Sequence, residues 1–101
     1  MIFKRGAAMK IDVILAVPEP HEPKIVQGEI IDIASHLANY ATWVVHRDPW
    51  IGEWQISNVE TGYRVGRAVY SKAEAIKNAK IILAKISIRK LLVAYRKAST
   101  R

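Results

Sequence analysis

The chain contains no cysteine. Disulfides, thiolate nucleophiles and any zinc site that needs a thiolate ligand are excluded together. Long hydrophobic runs are missing too: charges interrupt the apolar stretches well short of the roughly 18 residues a membrane-crossing helix needs, and the opening MIFKRGAAMK has no signal-peptide core. The expectation is a soluble cytoplasmic protein with no membrane span. Proline (four) and glycine (five) are scarce enough to act as punctuation between elements. What the last third lacks is acid. From Ser71 to Arg101 only Glu74 stands against nine lysines and arginines, whereas residues 1–70 hold eight acids and seven bases, so the net charge of +7 comes from the C-terminal third.

With 101 residues there is room for one domain and one modest core. A composition half hydrophobic and one quarter charged is that of a folding chain, not a disordered one. Positive charge gathered on one segment is the pattern of a polyanion-binding surface, because each Lys or Arg near a phosphate releases condensed counterions. A solvated helix kept in solution by its lysines has the same composition.

Met9 can serve as the true start, leaving residues 1–8 as an extension. Residues 10–17 are apolar and β-rich, and the following PEPHEP places three prolines in six residues, which blocks both helix and ladder and makes 18–24 a stiff connector. Ile30, Ile33, Ala34, Leu37 and Ala41 recur at helical spacing, which predicts a short helix over residues 29–40, with the isoleucines leaving a strand as the alternative. The middle reads as three strands, 42–47, 53–58 and 63–70, separated by DPWIG and VETG. Alternation puts Trp43, Val45, Trp54, Ile56, Tyr63 and Val65 on one face; Val44, His46, Gln55, Ser57, Arg64 and Gly66 lie on the other. The first face needs cover and the second is expected to be a solvated polar face.

Cover comes from the next segment. Ser71 and Glu74 form an S-x-x-E capping box, and no Pro or Gly intervenes from there to about Ala98, which predicts a basic helix over 71–98. Its apolar stripe changes sides midway, from Ala75, Ile76, Ala79, Ile82, Leu83 and Ile86 to Ile81, Ala84, Ile88, Leu91, Leu92 and Tyr95. Either the helix breaks near Ile86, Ser87 and Ile88, or its second half packs on the N-terminal elements or on another copy. Extra packing is the favoured reading, and Ile88, Leu91, Leu92 and Tyr95 are the expected homodimer or partner interface. The expected fold is therefore α+β: a three-stranded antiparallel meander packed against a long C-terminal helix, with an N-terminal strand and short helix.

Catalytic groups are thinly spread. His21 with Glu19 and Glu22 sits in the proline-rich connector, where one His and two exposed acids make a poor metal site. Ser35 and His36 are sequence neighbours and diverge on a helix; His46 and Asp48 have no accompanying nucleophile. GYRVG is neither a P-loop nor a dinucleotide fingerprint. No enzyme, metal or cofactor is expected. Binding has more to offer: Lys77, Lys80, Lys85, Arg89, Arg96 and Lys97 on the helix, Arg47, Gln55, Arg64 and Arg67 on or beside the polar sheet face, and Trp50 at a hairpin tip. Trp43 and Trp54 have the parity of core residues.

The meander with GEWQI (residues 52–56), the Gly-led third strand GYRVGR (62–67) and the helix entry SKAEAIKNA (71–79) resemble the sheet-plus-helix DNA-binding modules of AP2 domains and of tyrosine-integrase arm-binding domains. The resemblance covers residues 42–83 and implies docking of the exposed sheet face on DNA, through Arg47, Gln55, Arg64 and Arg67. Similar short patterns occur in phage and mobile-element proteins, including inhibitors of nucleic-acid-guided defence complexes. The expectation is a small accessory or regulatory nucleic-acid-binding protein, with DNA favoured over RNA. The alternative is a phage-encoded interaction module or inhibitor, in the anti-CRISPR manner, whose basic helix contacts an acidic protein surface. An anionic membrane surface under residues 85–101 is a weaker third reading.

Overall fold

The computed structural model describes residues 9–16, 22 and 24–99. The 1–8 extension, most of the proline-rich connector, and the metal candidate His21 with Glu19 lie outside the described residues. Five strands, β1 (Lys10–Leu15), β2 (Lys24–Ile31), β3 (Trp43–Arg47), β4 (Trp54–Asn58) and β5 (Arg64–Val69), form one antiparallel sheet in chain order. Two helices follow, α1 (Lys72–Ala84) and α2 (Ile88–Ser99), and neither is long and apolar enough to cross a membrane.

The class is α+β, but the three-stranded meander is corrected to a five-stranded one. Residues 29–40 do not form the expected helix. They give the end of β2 and, after a short link, a 3-10 turn at Ser35–Leu37. Ile30 pairs with Val44 and Ile31 with Trp43, so Ile30, which satisfies a helical spacing, gains more by completing a ladder. Ile33, Ala34, Leu37 and Ala41 account for the rest of that spacing, packed into one cluster from the link, the 3-10 turn and the residues after it.

Both sheet faces are apolar at their centre. Trp43, Val45 and Ile56 pack with Ala75, Ala79 and Leu83 of α1, while Val13, Leu15 and Val44 form a second cluster on the opposite side. The sheet curls so that the end of β1 reaches the β4–β5 turn, where Ala16 N–H donates to the Gly62 carbonyl at 3.0 Å. Two glycines permit the closure. A Cβ at Gly62, whose φ is +74°, would run into the Ile14 carbonyl, and one at Gly28 would lie 2.7 Å from Val44 Cβ.

The single long helix is corrected as well. After Ala84 the chain turns at Lys85, and Ser87 starts a new helix, its Oγ accepting from Lys90 N–H at 3.1 Å. His36 Nε2–H donates to the Ile86 carbonyl at 2.8 Å, so the backbone at the break is held from the 3-10 segment. The break is the physical answer to the stripe that changes sides. α1 lays Ala75, Ala79 and Leu83 on the sheet, and α2 turns Leu91 and Tyr95 toward the core margin. The second half also packs on the N-terminal region: the Tyr95 hydroxyl donates to the Tyr40 carbonyl at 2.7 Å.

Candidate nucleic-acid interface

Because α1 buries positions 75, 79 and 83, positions 77 and 80 fall on its outer side. Lys77, Lys80, Lys85, Arg89, Lys90, Arg96 and Lys97 are all exposed, so α1, the turn after it and α2 all present cations to solvent. Lys72 is set apart: it is half-buried, bonded to Glu29 at 2.8 Å and 5.6 Å from the Trp54 ring centre. Lys77, Lys80, Lys85, Arg89 and Lys90 form no ion pair among the described residues. Arg89 and Lys90 stand in the first turn of α2, which contains no acid. The helix dipole disfavours cations there and favours an anion, so the amide-rich end of α2 and its two cations attract phosphate together.

The four expected interface residues divide. Leu91 is 6% exposed and belongs to the core, and Tyr95 is half-buried with its hydroxyl on Tyr40. Ile88 and Leu92 do face solvent, and Val93 joins them, at 36%, 45% and 42% exposure. Val93 was missed because it lies one turn from both Arg89 and Arg96, on the side of the wheel read as charged. Burial pushes the Tyr95 hydroxyl above its ordinary pKa; the Asn58 amide opposes this and nearby Glu60 adds to it.

The polar sheet face is not solvated. His46, Gln55 and Ser57 are 2%, 4% and 1% exposed, since that side of β3 and β4 is continuous with the Val13–Leu15–Val44 cluster. Gln55 is therefore withdrawn from any surface that could meet base edges. Arg47 is exposed but committed to its own hairpin, 4.5 Å from the Trp54 ring centre and donating to the Gly52 carbonyl at 2.8 Å. Arg64 and Arg67 are exposed on β5, an edge strand of the sheet. Trp50 projects from the β3–β4 turn, 54% exposed; Trp43 is core, and Trp54 is half-buried against the same cluster.

One arrangement was missed. His46 Nδ1 donates to the Arg47 carbonyl at 2.8 Å, which leaves Nε2 to accept from the Ser57 hydroxyl, also at 2.8 Å. The two residues lie diagonally on one face of β3 and β4, a relation readable from strand parity once the register is known. The bonding is that of a base and a nucleophile, but both are sealed, and here the pair satisfies two buried polar side chains. A scan against protein-family models and searches of curated proteins and of solved structures found no match.

Proposed function

We propose that the chain is a nucleic-acid-binding accessory or regulatory protein that holds phosphates on the outer surface of its two helices, without a catalytic role. One observation carries this reading. Lys77, Lys80, Lys85, Arg89 and Lys90 are exposed on the two helices and the turn between them and have no carboxylate partner among the described residues. Cations kept for solubility alone need not stand in the first turn of α2, where the dipole works against them. Base-edge reading by the sheet is not part of the proposal, because Gln55 is buried.

The test is a fluorescence-anisotropy titration against labelled DNA and RNA at about 50 and 200 mM salt. Five phosphate contacts predict a loss of roughly 500-fold in affinity for duplex DNA over that range, and roughly 130-fold for a single strand. Replacing Lys77, Lys80 and Arg89 by Ala should flatten the slope by about three contacts. An unchanged slope removes the helical layer from the interface, and no binding at low salt ends the reading.

A second reading rests on Ile88, Leu92 and Val93, exposed between the arginines of α2. Aliphatic side chains add little against phosphate but fit an interaction module or inhibitor, in the anti-CRISPR manner, that meets an acidic partner with an apolar centre or a second copy of itself. Sedimentation of the protein with and without Leu92→Asp separates the second copy from the rest.

A further inference from the structure

The three tryptophans have different fates. Trp43 is 5% exposed in the core and the Trp54 ring is held by Arg47 and Lys72, whereas Trp50 is left 54% exposed. The turn that carries it is tightly bonded. Asp48 Oδ1 accepts from Trp50 N–H at 2.8 Å and Ile51 N–H at 3.0 Å, Gly52 N–H donates to the Asp48 carbonyl at 2.9 Å, and Asp48 N–H donates to the Glu53 carbonyl at 2.6 Å. The Asp48 carboxylate is thus occupied by its own turn. The indole is displayed on backbone that is already ordered, which removes much of the entropy cost of using it in binding.

A second exposed ring stands at the same end. Arg47 pairs with Trp54 and Trp54 with Val69, so Tyr70, 88% exposed, leaves the ladder beside the β3–β4 turn. Leading to it along β5 are Arg64 and Arg67, exposed and without an ion pair among the described residues. Arg64 and Val69 pair with Ser57 and Trp54, three residues apart on β4, so β5 bulges and the run is about 10 Å, the reach of a short stretch of extended strand. Cations followed by open aromatic faces are what an unpaired strand needs: phosphates follow the charges and bases stack on the rings.

We infer that Trp50 and Tyr70 form a stacking platform for unpaired bases, fed by Arg64 and Arg67, and that the nucleic acid this protein prefers is single-stranded. The inference rests on the nucleic-acid reading above but uses a different surface. A duplex keeps its base faces stacked internally and gains nothing from the platform. Ile51, 63% exposed, gives the platform an apolar flank.

The experiment is an anisotropy titration of the full chain against a labelled oligothymidylate of about 15 nucleotides and against a duplex of equal length. Wild type should bind the oligothymidylate more tightly. Trp50→Ala and Tyr70→Ala should each weaken that binding by about tenfold or more, leaving duplex affinity within about twofold, and Trp50→Phe should retain most of the affinity. Both side chains are exposed, and circular dichroism checks that each variant folds. Oligothymidylate affinity unchanged by both alanine variants, or a wild-type preference for duplex, overturns the inference; a ring made for an apolar pocket in a protein would give the first result. The Lys77, Lys80 and Arg89 triple variant keeps the two proposals apart: it should weaken both nucleic acids, and if it weakens neither while Trp50→Ala acts, the helical reading falls and the platform stands.

Discussion

The two helices start alike and end up with different work. Each opens on a serine whose hydroxyl accepts from the amide of the third helical residue, Ser71 from Glu74 at 3.3 Å and Ser87 from Lys90 at 3.1 Å. From there they diverge. α1 buries Ala75, Ala79 and Leu83 against the sheet and sets Glu74 beside Lys72 in its first turn, whereas α2 buries Leu91, leans on Tyr95, and has Arg89 and Lys90 in its first turn with no acid. One helix is built into the core with its charges on the far side. The other is fastened at the rim and turns most of its surface, cationic and aliphatic, to whatever lies outside.

The largest expected contrast is in stability. Leu83 is fully buried and Leu91 is 6% exposed on a helix that can shift to close a void. Leu83→Ala should therefore fall at the upper end of the ~2–5 kcal/mol typical of such truncations, and Leu91→Ala at the lower end. Urea denaturation followed by circular dichroism measures both; equal losses would mean that α2 is as deeply fixed as α1.

Next comes the Tyr95 anchor. Removing its hydroxyl in Tyr95→Phe should cost ~1 kcal/mol and act locally, because the bond to Tyr40 ties α2 alone. Hydrogen exchange should then speed up across α2 and stay unchanged in α1. Rising pH should do the same in wild type. A phenol whose folded pKa is raised contributes stability that is complete below the unfolded value near 10 and is lost as pH climbs through the higher folded value. Loosening of α2 above about pH 10, absent in Tyr95→Phe, is the expected result.

How much of this was legible in the sequence depends on whether a feature is local. The hairpins around DPWIG and VETG and the Ser71 cap were readable, because turn chemistry and alternation act over a few residues. β2 was not. Ile30, Ile33 and Leu37 fit a helical period, and only the pairing with Val44 across Gly28 makes Ile30 a strand residue. The same long-range closure buried His46, Gln55 and Ser57, which strand parity alone had placed on a wet face. For α2, the exposed chemistry at Arg89 and Lys90 was visible in the charge count, but the division of Leu91 and Tyr95 from Ile88, Leu92 and Val93 needed the break at Lys85.

The smallest effect is the most informative, because stability and binding should move in opposite directions. Lys90 occupies in α2 the position that Glu74 occupies in α1, third in the helix behind a capping serine. Lys90→Glu would complete the Ser-x-x-Glu capping box and replace a cation with an anion at the positive end of the helix dipole. The variant should be more stable by about 0.5 kcal/mol, seen as a small rise in melting temperature. The same change should weaken nucleic-acid binding by more than one phosphate contact, since it removes an attraction and adds a repulsion. Lys90→Gln separates the two contributions, losing the attraction without the repulsion. A variant both more stable and equally able to bind would mean that the cations in the first turn of α2 serve no ligand, and the helical interface would have to be redrawn around Lys77, Lys80 and Lys85 alone.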